Sequence, residues 1–322
     1  MCRISFFVFL LCAGLVAQAQ TTAPTTQSST KPAALPAHFA GPAEGFSPDV
    51  KTGAINKVRL EGVKNDAAWY HLAVPKEYTP KTAYPLMIVL HGGPAGNGPD
   101  DIVSFFRGGL LRHGVISVYP NALEAKLLAW NYPESGAYML AIIKQVARTY
   151  RIDARRIYVV GVSMGGGGAW SLGAVMPEVW AGVGPISGWY KPTPAPPVDG
   201  LRKMPIYCLH GEKDEAVTVE RSRLAVKELT KAGIKVLELK EPEKYTQIGD
   251  EQFVYREVPD APHNVLVPWS RGGKELGIML PWLLAHKRDQ PADLDAAAKS
   301  LAEWGKAKFE WKYESLLGTY DK

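Results

Sequence analysis

From about residue 54 onward, short apolar runs alternate with longer stretches of helical periodicity. Val58-Arg-Leu60 and Ala68-Trp-Tyr-His-Leu72 read as two strands of an opening hairpin. Pro85-Leu-Met-Ile-Val-Leu90 is apolar without a break, the habit of a strand buried on both faces of a parallel sheet. A helix is expected over Ile102–Arg112 and a strand over Gly114–Tyr119. In the next helix, Gly136 to about Tyr150, the residues Met139, Ile142, Ile143, Val146 and Tyr150 fall at helical spacing. Arg156-Ile-Tyr-Val-Val160 is a further strand, and a helix through Trp170 and Leu172 follows. Strands are then expected at Ala181–Ile186, Met204–Leu209, Lys235–Leu239 and Phe253–Val258, with helices at Val219–Ala232 and about Gly273–His286.

Strands alternating with helices of roughly 10–15 residues predict βαβ units: an α/β protein with a mostly parallel central sheet and helices on both faces. The connections are short enough for one continuous domain over residues 50–288. Residues 289–322 combine an Ala-rich helix (about Asp293–Trp304) with Phe309-Glu-Trp-Lys-Tyr313, which alternates like a strand. They read as a packed C-terminal extension.

Two segments precede the domain. Arg3 is followed by an apolar run from Ile4 to Val16 and by Ala17-Gln18-Ala19, a small-x-small cleavage signal. Residues 1–19 therefore read as a secretory signal peptide and imply a secreted or periplasmic protein. The run is shorter than the about 20 residues that span a bilayer, so stable membrane insertion is not expected. A lipid anchor at Cys12 is disfavoured by the bulky Leu11 before it. Residues 20–49 are rich in Thr, Ser, Ala and Pro and read as a flexible linker.

Composition fits this picture. The chain has 322 residues, 46% apolar and 21% charged, which excludes a disordered chain and an integral membrane protein. Net charge is +5, but no long basic run or basic helix face accompanies it, so nucleic acid is not an expected partner. Removal of Cys2 and Cys12 with the signal peptide leaves Cys208 alone, in the apolar run Ile206-Tyr-Cys-Leu209, where a buried inert thiol is expected.

Chemistry enters at Gly161-Val-Ser-Met-Gly165, a G-x-S-x-G sequence directly after a predicted strand and before a predicted helix. That strand–turn–helix setting is what a nucleophile elbow requires, which makes Ser163 the candidate nucleophile. A serine hydroxyl needs a base. Of the seven histidines, only His263 lies on a loop after the last core strand, in Asp260-Ala-Pro-His-Asn264, at the carboxyl ends of the strands. The base needs a carboxylate partner. Asp214 follows the strand Pro205–Leu209 in Leu209-His-Gly-Glu-Lys-Asp214, with Glu212 and Asp260 as competitors. The order Ser163, Asp214, His263 differs from those of the chymotrypsin and subtilisin types. For an oxyanion, the N–H of Met164 is one candidate donor. The loop His91-Gly-Gly-Pro94 offers the other from Gly92 or Gly93, with Gly93 favoured, since Pro94 has no N–H. His91 is expected to order that loop.

These segments together, Leu90-His-Gly-Gly-Pro94, Arg156 through Gly166, His210-Gly-Glu-Lys-Asp214 and His263-Asn264, resemble the α/β-hydrolase superfamily over about residues 80–285. Within it the chain looks most like secreted esterases of the polyhydroxybutyrate-depolymerase and feruloyl-esterase type, and like prolyl-oligopeptidase-like catalytic domains. The resemblance implies a serine hydrolase that cleaves carboxylic esters through an acyl-enzyme. A peptidase with the same three residues, or a non-catalytic secreted binding protein of the same fold, are the alternatives. The chain departs from the depolymerase pattern, which often has cysteine where Gly93 stands, and no propeller domain is expected before the core. Trp130, Trp189 and Trp269 fall near strand ends and are candidates to stack on a sugar or phenolic ring of a small or polymer-linked ester. No metal or cofactor is implied: there is no HExxH, closely spaced Cys/His set, P-loop or GxGxxG sequence.

Overall fold

The computed structural model describes residues 36–42, 51–93, 98–124, 129–191, 195–240, 251–266 and 274–309. The expected signal peptide, Cys12, Pro94, Trp269 and the stretch after Phe309 lie outside the described residues.

Among the described residues, nine strands form one sheet: β1 (Ile55–Arg59), β2 (Trp69–Ala73), β3 (Tyr84–Leu90), β4 (Ile116–Pro120), β5 (Ile152–Val162), β6 (Gly182–Ile186), β7 (Ile206–Gly211), β8 (Val236–Glu238) and β9 (Phe253–Val258). Their order is β1-β2-β4-β3-β5-β6-β7-β9-β8. The opening hairpin is antiparallel, β2 runs antiparallel to β4, and every remaining pair is parallel. Among the described residues, six α-helices connect or cover the strands: α1 (Asp100–Arg112), α2 (Pro133–Thr149), α3 (Met164–Val175), α4 (Glu220–Lys231), α5 (Leu276–Ala285) and α6 (Leu294–Phe309).

The unbroken apolar runs have a simple cause. Successive side chains of a strand point to opposite faces, so a strand covered on both sides has few positions for a polar residue. In β3, Leu86, Ile88 and Leu90 enter one apolar cluster while Met87 and Val89 enter the other. Strand β7 repeats this with Ile206 and Cys208 against Tyr207 and Leu209. The first cluster lies under α2, α3, α4 and α6, and the second under α1 and α5. The thiol of Cys208 is buried, and loss of solvation pushes it up to about 12, as an inert core thiol requires.

Two outer boundaries differ from expectation. The linker was expected to run from residue 20 to 49, yet Ala37–Phe39 forms a 3-10 turn and Phe39 is buried in the first cluster. A large aromatic ring stabilises on burial by about 2–3 kcal/mol, enough to dock a short segment of otherwise small and polar residues. At the other end, α6 presents Leu294, Ala297, Leu301 and Trp304 to the same core and continues to Phe309, where strand-like alternation was expected to begin. Leu301 packs so closely on α2 that a methyl on Gly136 would come 2.6 Å from its Cδ1.

Candidate active site

Strands β3, β5, β6, β7 and β9 run parallel, so the loops leaving their carboxyl ends gather at one edge of the sheet. Ser163 sits between β5 and α3 with φ 58° and ψ −116°, a left-handed conformation that side chains rarely adopt. Hydrogen bonds over-determine it: its N–H donates to the Ile186 carbonyl at 2.9 Å, and its own carbonyl accepts from Gly167 N–H at 3.0 Å. The elbow also needs bare backbone. A side chain on Gly165 would collide with the Leu90 carbonyl and come 2.8 Å from that of His91.

His263 lies on the loop after β9. Its Nε2 is 2.8 Å from Ser163 Oγ and its Nδ1 is 2.7 Å from Asp214 Oδ2. The ring is partly open to solvent, whereas the Asp214 carboxylate is wholly enclosed. The loops meet because Gly211 ends β7 without a side chain: a Cβ there would sit 2.5 Å from the carbonyls of both Ala261 and Pro262. Lys213 N–H then donates to the Ala261 carbonyl at 2.9 Å, fastening the β7 loop to the His263 loop. Asp214 Oδ1 accepts from the N–H groups of Ala216 (2.9 Å) and Val217 (2.7 Å). Burial pushes the Asp214 carboxyl up, but hydrogen bonds from His210, His263 and Val217 N–H outweigh it and hold the group well below the usual carboxylate range.

The competing carboxylates are engaged elsewhere. Asp260 pairs at the surface with Lys213 (2.6 Å), and Glu212 accepts from the Asp260 N–H at 2.9 Å.

Met164 opens α3, and its N–H belongs to the first turn, whose amides have no partner within the helix. Gly92 touches the nucleophile from the other side, since a Cβ on it would be 3.0 Å from Ser163 Cβ. Gly93, with φ 78°, lines the same cavity. That cavity holds about 420 Å³, and Ser163, His263, Asn264, Asp101, Ile102 and Phe105 are among its walls. Among the described residues, no group of three or more His, Cys, Asp or Glu side chains is arranged to hold a metal ion.

His91 is buried beside the serine and braces its loop. Its Nε2 accepts from Ala122 N–H at 3.2 Å, which leaves Nδ1 to donate to the Gly92 carbonyl at 2.9 Å. Burial lowers its pKa, in the same sense as the neutral ring that an accepting Nε2 requires. Trp130 and Trp189 depart from expectation. Trp130 is 1% exposed and has no face to offer a substrate, because its ring packs under the first turns of α3 and its Nε1–H donates to the His91 carbonyl. Trp189, on the loop after β6, is half-buried against Gly167 and is not among the cavity's described walls.

Two contacts carried no signal in the sequence. Ser187, at the end of β6 with φ 46°, donates from Oγ to the His263 carbonyl at 3.1 Å and so holds the histidine loop from below. Arg256 on β9 is buried with Glu275, which precedes α5, at 3.0 Å. Its guanidinium also donates to the carbonyls of Leu239, Lys240 and Glu257.

Comparison with known proteins agrees with this architecture. Residues 132–254 match the profile of the Phospholipase/Carboxylesterase family. No curated protein matches the sequence. Among solved structures, a thermostable esterase is 26% identical, with a TM-score of 0.51 over 68% of this chain and 59% of that one. Esterase 2 of Thermogutta terrifontis, solved phosphoramylated by tabun, is 13% identical, with a TM-score of 0.51 over 73% of this chain and 97% of that one. The acylaminoacyl peptidase of Pyrococcus horikoshii is 13% identical, with a TM-score of 0.52 over 77% and 45% of the two chains. The chain thus spans 59% of the length of the thermostable esterase. Its fold is the α/β-hydrolase fold.

Proposed function

We propose that the protein is a secreted serine carboxylesterase. The observation that carries this reading is the pair of short contacts from one imidazole, 2.8 Å to Ser163 Oγ and 2.7 Å to Asp214 Oδ2. Ser163 Oγ attacks the ester carbonyl carbon while His263 Nε2 takes the hydroxyl proton. The buried Asp214 carboxylate fixes the tautomer that leaves Nε2 free to accept, and stabilises the imidazolium that forms. Charge developing on the carbonyl oxygen is met by Met164 N–H at the start of α3 and by an amide of Gly93 or Gly92. His263 then gives its proton to the departing alcohol. Water attacks the acyl-enzyme with His263 again as base, releasing the acid and restoring the serine.

Ester rather than amide cleavage is supported by the Phospholipase/Carboxylesterase profile and by the 26% identity to a thermostable esterase. Secretion is supported by the charge, apolar run and small-x-small pattern of residues 1–19. The test is turnover of a p-nitrophenyl acyl ester by the wild type and by Ser163→Ala, alongside dipeptide amides. Loss of ester turnover in a folded Ser163→Ala protein is expected, and unchanged turnover would sink the reading. Dominant amide turnover by the wild type would make it a peptidase instead.

A further inference from the structure

Asp214 is touched by a second imidazole. His210, on β7, has a side chain with no exposed surface, and its Nε2 lies 3.1 Å from Asp214 Oδ2 and 2.8 Å from the Val217 carbonyl oxygen. A carbonyl can only accept, so Nε2 carries a proton. In the neutral ring Nδ1 then accepts, from Ser222 Oγ on α4 at 2.7 Å, and Cys208 Sγ donates to that same hydroxyl at 3.3 Å. A directed chain of donors thus runs from Cys208 through Ser222 to His210, whose Nε2–H is given to the Val217 carbonyl and lies beside the carboxylate. His263 reaches the same Oδ2 at 2.7 Å. Two backbone amides thus bond Oδ1, while Oδ2 accepts from His263 and has the His210 ring against it.

We propose that His210 is a positioning residue, whose Nε2–H pins Asp214 Oδ2 in the place from which it accepts from His263. This rests on the reading of Ser163, His263 and Asp214 given above. The hydrogen bonds to Val217 and from Ser222 leave the His210 ring one orientation, with Nε2 against Asp214 Oδ2, and the backbone turn at Ala216 and Val217 anchors only the other oxygen. Without His210, Oδ2 has a single partner, and its direction toward His263 is no longer set. The other titratable groups around the pair are Glu257, opposite His210 on β9 and held by Arg223, and Lys213, held by Asp260.

The test measures kcat and KM of the full chain with a p-nitrophenyl ester across about pH 4–9. His210→Phe keeps a ring and removes the donor. It is expected to lower kcat by on the order of ten-fold or more with KM within about two-fold. His210→Gln places an amide N–H near the original Nε2 and is expected to recover most of kcat. A folded His210→Phe with wild-type kcat overturns the proposal, as does a Gln variant as impaired as the Phe variant. Should His210→Phe not fold, Ser222→Ala decides: it loosens the ring and is expected to lower kcat with KM unchanged, and a wild-type kcat overturns the proposal. Ser163→Ala separates the two readings. Retained turnover there sinks the esterase assignment, whereas an inactive Ser163→Ala beside unaffected position-210 variants sinks only the role of His210.

Discussion

The Nε1–H of Trp130 donates to the carbonyl of His91 at 3.0 Å, with the two rings edge to face at 5.2 Å. The loop that carries Gly92 and Gly93 therefore rests on a buried indole. Trp130→Phe keeps an aromatic ring but leaves the His91 carbonyl without this donor. An unsatisfied buried acceptor costs about 1–3 kcal/mol, which urea unfolding will register. Turnover should fall through kcat and equally for aryl and alkyl esters, since the loop and not a substrate ring is disturbed. A change confined to KM for aryl esters would return Trp130 to the substrate surface.

The four glycines from 165 to 168 are not equivalent. A methyl on Gly165 overlaps the Leu90 carbonyl, whereas one on Gly167 meets Trp189 at 3.7 Å, an ordinary contact. Gly165→Ala is therefore expected to separate α3 from β3 and to yield little folded, active protein. Gly167→Ala should stabilise by about 0.4–1 kcal/mol, because alanine loses less backbone entropy in a helix. Thermal unfolding of the two variants side by side checks the contrast, and a destabilised Gly167→Ala would refute it.

The parts of this molecule that were legible in the sequence are those whose signal is local. A stretch of strand covered on both faces is apolar throughout, so residues 86–90 of β3, 157–160 of β5 and 206–209 of β7 announce themselves and their sheet type. The elbow at Ser163 is a five-residue pattern in its own context, and the turn from His210 to Asp214 has its glycine within it. What could not be read is long-range. Ser187 meets His263 across 76 positions, with no residue type at either end that demands the other. His210 looked like any strand-end histidine because its partners Val217 and Ser222 lie beyond a turn. Trp130 and Phe39 show the converse: an aromatic residue in an irregular segment has no periodicity to say which way it faces, and both face inward.

Asp214 gives the protein a dependence on acid with a definite sign. Its folded pKa is depressed below the unfolded value of about 3.9, so its contribution to stability is fully present above that value and is lost as pH falls through the folded pKa. Asp214→Asn lacks the contribution. The gap in unfolding free energy between wild type and variant should narrow as pH falls below about 4. Ester turnover by the variant should drop by about 10³–10⁴-fold at neutral pH, because the amide does not fix the His263 tautomer. A gap that widens on acidification would contradict the assignment of this carboxyl as the buried anion.

Arg256 and Glu275 tie β9, the strand that leads to His263, to the start of α5. Both side chains are almost wholly buried, at 7% and 3% exposure. Taking two charges out of water costs several kcal/mol each, and their attraction in the interior largely offsets it. The pair therefore matters far more when one member is removed than its net contribution suggests. Glu275→Ala leaves an uncompensated guanidinium in the core and should cost about 3–5 kcal/mol in urea unfolding. Replacing both, as Arg256→Met with Glu275→Leu, removes the stranded charge and should recover much of that loss. Recovery will be incomplete, because the carbonyls of Leu239, Lys240 and Glu257 lose their shared donor. If the double variant is no more stable than Glu275→Ala alone, the cost lies in those carbonyls and in packing, not in the orphaned charge.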